Sequence, residues 1–441
     1  MTDEDTVGVF DTLKSTPTAV RYLLGGVLVN QLGAFVQTFL VLYLTHRHMS
    51  VNAAGLALVA YSAGTILGTM LGGEATQRFG PRLTIVVTMA GAGPLVAVIP
   101  ALSRSGLLAP LLVVVALAGL LAQAYRPAAS VLLSDLMPER HQVMAFSMMR
   151  IALNTGAALA PLIAAGLILV DWDALFWLDG ATTLVYAALA FALLPRRAVL
   201  AAREKAAADD ADAADGTQPA DEPAPITGRA AYAAMLRDRK YMFYLAAVLL
   251  GTITYVQSLI ALPLQIEADD YPTGLYSAVL TVSSLVLITC ELKITTYILR
   301  MPTHTAVVLG HLVNSLGFAV YGLAAHSPAF IMIGAVFEVS GLMIAGPSMF
   351  AHPATFPAAL KARYIGTMQA TAGLAAALGP LFAVFVWTRL DHGFWVLCAA
   401  VNGVAGLLAM AGLNRGGGRE APAEQDETTQ GKAEEVVGGT A

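Results

Sequence analysis

Twelve times along the chain, a run of about twenty or more residues passes with almost no charged side chain, which is the length an α-helix needs to cross a bilayer. The runs fall at 21–45, 51–73, 83–102, 107–134, 144–170 and 174–194, then at 241–266, 274–297, 304–324, 329–350, 364–388 and 393–413. A segment in lipid must satisfy its own backbone hydrogen bonds, so runs of this length predict helices rather than barrel strands. Only 12% of the 441 residues are charged and 57% are hydrophobic, against roughly a quarter charged in soluble domains. A soluble enzyme with a membrane tail is excluded by this pattern. The expected fold is an all-α membrane protein.

The polar segments divide the chain further. Residues 1–20 precede the first run, 195–240 separate the sixth from the seventh, and 414–441 follow the last. The middle of the long linker, Ala206 to Ile226, carries Asp209, Asp210, Asp212, Asp215, Asp221 and Glu222 and no base. Such a stretch cannot bury enough apolar surface to offset its ordering entropy, and disorder is expected there and in the tail. Gly228 to Lys240 could form a short interfacial helix or an unstructured basic anchor. Arg47, Arg104 and Arg389 are the bases in one set of connections. The other set holds Arg78, Arg82, Arg140, Arg196, Arg197, Arg237, Arg239, Lys240, Arg300, Lys361 and Arg363. Bases stay on the cytoplasmic side, so both termini are expected there, in a multi-pass protein of the cytoplasmic membrane. An acidic start, Met1-Thr2-Asp3-Glu4-Asp5, does not indicate a cleaved signal peptide.

Cys290 and Cys398 lie inside apolar runs without metal-ligand spacing, so neither a disulfide framework nor a zinc site is expected. The net charge of −5 and the absence of a basic surface argue against nucleic acid as a partner. No G-x-x-x-x-G-K-(S/T) loop is present, so this chain is not expected to use ATP.

The two sets of six runs echo each other. Pro138 and Pro357 lie 219 positions apart, as do Met149 and Met368, and Pro161 and Pro380. Asp173 with Phe176-Trp177 returns as Asp391 with Phe394-Trp395. A near-constant offset through successive helices predicts an internal duplication into two pseudo-symmetric halves, 21–194 and 241–413.

The second connection reads Gly73-Glu74-Ala75-Thr76-Gln77-Arg78-Phe79-Gly80-Pro81-Arg82. It resembles the loop of the major facilitator superfamily, whose pattern is G-x-x-x-D-R-x-G-R-(K/R). Gly73, Arg78, Gly80 and Arg82 match, while Gln77 replaces the aspartate. The resemblance implies a cytoplasmic gating loop that latches the two halves, weakened here at Gln77; a merely basic turn would explain the arginines but not the glycines. The block from Tyr125-Arg126-Pro127 to Asp135 and Arg140 is similar to the fourth helix of drug:proton antiporter-like members. Asp135 could pair with Arg78 or Arg82, or end its helix in water. Asn154 to Gly166 resembles the antiporter motif, with Gly156 and Pro161 in place. Gly346-Pro347, Arg363-Tyr364-Ile365-Gly366 and Gly379-Pro380 resemble the matching region of the second half. Gly156, Pro161, Gly379 and Pro380 are thereby expected to let helices approach and bend.

Ionisable residues inside the runs are Arg126, Arg150, Asp179, Glu291, Lys293 and Glu338. Each is expensive in lipid and marks a functional candidate. Glu338, about ten residues into its run, is the first candidate for proton coupling, followed by Asp179 and Glu291; the alternative for Glu338 is a permanent structural pair. Arg126 is expected either to tune a carboxylate or to form a buried ion pair. By the resemblance, Asn30, Gln37, Tyr255 and Gln257 face a central cavity between the halves, or else bond neighbouring helices.

The reading that follows is a secondary transporter, not an enzyme. It needs no cofactor or metal, acts as a monomer, and exchanges protons for small amphipathic compounds by alternating access. Uptake of a small nutrient and ligand sensing without transport are the alternatives.

Overall fold

A computed structural model describes residues 12, 14–195, 229–272, 274–390 and 393–413. The expected disordered linker core, the tail, the start of the chain and Asp391 lie outside these residues. Among the described residues there are twelve helical spans and no strand. The first half comprises α1 (Thr18–Leu32), α2 (Val36–His46), α3 (Val51–Phe79), α4 (Pro81–Ser105), α5 (Leu108–Leu136), α6 (Gln142–Ile168) and α7 (Ala174–Leu193). After the linker come α8 (Arg229–Arg237), α9 (Arg239–Ala268), α10 (Gly274–Ile298), α11 (Thr303–Tyr321), α12 (Pro328–Ala351), α13 (Ala358–Leu390) and α14 (Gly393–Leu413).

Duplication is visible in which helices touch. In the first half α3 packs on α5, α4 on α5 and α7, and α1 on α6 and α7. In the second, the equivalent pairs α10 on α12, α11 on α12 and α14, and α9 on α13 and α14 repeat that pattern. The halves meet through α3 and α13, α6 and α10, α6 and α12, and α5 and α13. The first half carries two buried apolar clusters, one built on Met89, Leu132 and Tyr186 and another on Tyr43, Leu111 and Phe176.

Three local features depart from the expected layout. The first run is not one helix: it breaks between Leu32 and Val36, giving α1 and α2. Gly33 sits against the Thr182 side chain, where a Cβ would collide. Second, the connection read as 73–82 is helical through Phe79, and the next helix starts at Pro81. Gly80 alone makes the turn with φ of +87°, a conformation that favours glycine, and Pro81 supplies a preset first helical residue. Third, α13 begins at Ala358, ahead of the run that starts at 364, so Arg363-Tyr364-Ile365-Gly366 lies wholly inside it.

Of the two readings for the end of the linker, the helical one holds for Arg229–Arg237. α8 stops at Asp238, whose carboxylate accepts the backbone N–H groups of Lys240 (3.0 Å) and Tyr241 (3.2 Å) and so caps α9. Met235 anchors α8 in the core beside Tyr241 and Phe356.

Candidate functional site

The halves are fastened at the end of the bundle that carries Gly80. There the backbones of α3 and α13 nearly touch: a Cβ added to Gly73 would lie 2.8 Å from the Ala362 carbonyl oxygen and 3.1 Å from the Gly366 Cα. Small residues bring the helices close enough for side chains to clasp across them. Glu74 accepts from Arg363 through Nε (2.7 Å) and Nη2 (3.2 Å), and from Arg78 Nε (2.6 Å). Tyr232 of α8 donates to the same carboxylate at 3.4 Å, so the linker helix joins the clasp.

This arrangement corrects the charge reading of the loop. The acid is present one residue after Gly73 rather than at Gln77, which lies half-buried one turn further along α3. Asp135 pairs with Lys361 (2.8 Å) across the halves, not with Arg78 or Arg82. Arg82 donates instead to the Ala190 and Phe191 carbonyls at the end of α7, where a cation complements the helix dipole. Deeper in, Gln369 donates to Ser130 Oγ (3.0 Å) and the hydroxyls of Ser147 and Thr295 bond at 2.8 Å.

One turn beyond Ser147, Arg150 reaches across from α6. Its Nη1 donates to the Leu342 carbonyl (2.9 Å), and its Nε lies 3.5 Å from Glu291 of α10. The guanidinium occupies space that a side chain at position 346 would fill, which accounts for Gly346. Arg150 is therefore buried between the halves, with Glu291 as its ion-pair partner.

Above this layer lies a central cavity in two lobes of about 350 and 410 Å³, a size suited to small organic ligands. Arg126, Arg150, Leu153, Phe350 and Ala372 border both lobes. Gln37 lines the lobe nearer the first half and Tyr255 the lobe nearer the second. Asn30 and Gln257 do not line either. Asn30 donates to Thr183 Oγ1 (3.1 Å) on α7. Gln257, with no exposed surface, donates to the Ile253 (2.8 Å) and Gly379 (3.1 Å) carbonyls. Arg126 forms no ion pair within 4.0 Å among the described residues, and its buried Nε has no hydrogen-bond partner.

The three candidate acids separate by environment. Asp179 accepts the backbone N–H groups of Phe35 (3.0 Å) and Val36 (3.2 Å), the first donors of α2. It is the cap of a helix that begins in mid-membrane, which is a structural duty and the reason the first span can break there. Asp179→Asn, which can still accept, should keep transport and most stability. Asp179→Ala should lose about 1–2 kcal/mol, read as a lower melting temperature of the purified protein. Loss of pH-driven transport in a well-folded Asp179→Asn would return it to the list of proton carriers. Glu291 faces Arg150. Among the described residues Glu338 is bonded by neither a cation nor a backbone N–H: Ser258 donates to Oε1 (2.5 Å) and Tyr321 to Oε2 (2.7 Å).

The packing motif recurs in both halves. Gly156 lies against the Gln31 side chain of α1, and a Cβ there would come within 2.6 Å of it; Gly379 lies against Val256 of α9, with 2.9 Å available. Pro161 and Pro380 follow on the exposed faces of α6 and α13.

At the opposite end of the first half, between spans, Asp173 is fully buried and binds Tyr43 Oη (2.7 Å), Arg47 and Arg104. Burial pushes its carboxyl up, but the Tyr43 hydroxyl and the two guanidinium groups outweigh that and hold it below the usual carboxylate range. Arg47, bonded to Asp173, is held above its ordinary value in turn. Sequence reading noticed Asp173 only as a repeat mark and did not pair it with the bases.

Twelve spans in two like halves, clasped at one end around a central cavity, define a membrane transporter architecture. The sequence model of the Major Facilitator Superfamily matches residues 23–380, and the chain belongs to that family. It is similar to the uncharacterized MFS-type transporter YqjV of Bacillus subtilis (strain 168), at 22% identity over 69% of this chain and 71% of that one. Among solved structures it resembles a bacterial homologue of the iron transporter ferroportin in an outward-facing state (TM-score 0.69, 15% identity, 90% of this chain and 98% of that one). It also resembles the proton:xylose symporter XylE (0.67, 14%, 90% and 95%) and the human organic anion transporter MFSD10 (0.66, 16%, 89% and 98%). At these identities the likeness to solved structures concerns the fold.

Proposed function

We propose that this transporter is a proton-coupled exporter of small amphipathic compounds, acting as a monomer in the cytoplasmic membrane by alternating access. The distribution of Lys and Arg supports a cytoplasmic location for the clasped end, and the structure then corresponds to the outward-facing state. The observation that carries proton coupling is the setting of Glu338. Among the described residues this carboxylate is held by two hydroxyls and no counter-charge, and hydroxyls can both donate and accept, so either protonation state is satisfied without rebuilding the site. Ser258, its partner, lies three residues along α9 from Tyr255, which lines the cavity. Substrate at that wall and a proton on Glu338 thus compete through one helix turn.

Proteoliposomes carrying entrapped pyranine test this reading. Adding a transported compound should move protons in the opposite direction to it. Proton movement in the same direction as the compound would establish uptake instead, and saturable binding without any flux would establish a sensor.

A further inference from the structure

The charge of the cavity wall points to the substrate's chemistry. Among the described residues bordering the two lobes there are two arginines and no aspartate or glutamate. Arg150 is neutralised in part from behind by Glu291. Arg126 has no such partner: among the described residues no carboxylate lies within 4.0 Å of it, and its Nε is buried without a hydrogen-bond acceptor. Arg126 is half-buried and borders both lobes, so an anion in the cavity would supply the counter-charge that no neighbouring acid provides. The neighbouring wall is apolar on both sides, through Leu153, Phe350 and Ala372, with amide donors at Gln37 and Gln369.

We propose that the compounds this cavity takes are organic anions, an oxyanion head carried on an apolar body, and that Arg126 is the residue that pairs with the head. A guanidinium presents a planar fork to a carboxylate, and the apolar wall shared by the lobes receives the body. Arg150 sits where it meets the same anion, so that the substrate and Glu291 share it. An amphipathic cation would face two positive charges and no acid, and is rejected by this site. The inference rests on the transport reading only in taking the cavity as the substrate site.

Matched ligands separate the possibilities. Thermal stabilisation of the purified full chain is measured with 4-phenylbutyrate and octanoate, with the corresponding amines, and with the corresponding alcohols. The carboxylates should stabilise the protein and the amines and alcohols should not. Arg126→Gln should weaken carboxylate binding by about tenfold or more, and Arg126→Lys, which keeps the charge but not the fork, by less. Melting of each variant without ligand shows whether it folds, and Arg126→Lys serves if Arg126→Gln does not. Amines binding more tightly than carboxylates, no binding by either carboxylate, or undiminished binding by Arg126→Gln would overturn the proposal. Arginine-dependent carboxylate binding without flux in proteoliposomes would leave it standing and defeat the transport reading, whereas flux of the amines would do the reverse.

Discussion

Glu338→Gln is expected to insert, fold and bind substrate, yet to lose pH-gradient-driven flux by an order of magnitude or more. The amide matches the carboxyl in size; its oxygen accepts from one of the Ser258 and Tyr321 hydroxyls and its NH2 donates to the other, so the packing around α9, α11 and α12 is preserved. What it cannot do is gain or release a proton. Exchange of substrate down its own gradient, which needs no net proton movement, should persist. Tyr321→Phe removes one of the two donors while leaving the acid, and should give an intermediate loss. Full pH-driven flux by Glu338→Gln would contradict the assignment and direct attention to Glu291, because Asp179 is occupied as the cap of α2.

The second large effect is expected at the clasp. Glu74→Gln removes the charge that Arg363 and Arg78 both bind, and Arg363 is nearly buried, with 5% of its side chain exposed. Hydrogen bonds to charged groups contribute about 1.5–3 kcal/mol, which is about ten- to a hundredfold in the balance between the clasped and open states. In a background lacking Cys290 and Cys398, a cysteine at Ser130, buried behind the clasp, should be labelled faster from that end by about tenfold or more. Adding an acid by Gln77→Asp should change little, since Glu74 already holds both arginines. Unchanged labelling in Glu74→Gln would mean that the bare contact of Gly73 with Gly366, not the charge, keeps the ends together.

The spans were legible because each is an uninterrupted apolar run, and bilayer thickness leaves one element type for such a run. The duplication was legible because prolines and aromatic marks survive at constant offset. What could not be read was set by partners distant in sequence. The break in the first span depends on Asp179, 144 residues beyond Phe35. The role of Glu74 depends on Arg363, 289 residues away; its one local signal was an acid beside the motif's leading glycine. Asn30 and Gln257 fail as cavity residues for a further reason. A helix that is apolar all round carries no stripe to fix its rotation, so the face of a lone polar residue is undetermined until neighbours are placed. Gln37 and Tyr255 had the same kind of signal and do line the cavity, whereas Asn30 and Gln257 turn toward α7 and α13.

Alternating access is tested most directly by distances measured at both ends of the same molecule. Spin labels are placed on exposed positions Phe79 and Met301 at the clasped end, and on Leu107 and Leu323 at the other, in the background free of Cys290 and Cys398. Acidification and 4-phenylbutyrate are then applied to the reconstituted protein. The account predicts opposite changes, the first distance lengthening in the population in which the second shortens, with Glu74→Gln shifted toward that population before any ligand is added. Two distances that stay fixed, or that lengthen together, would contradict it.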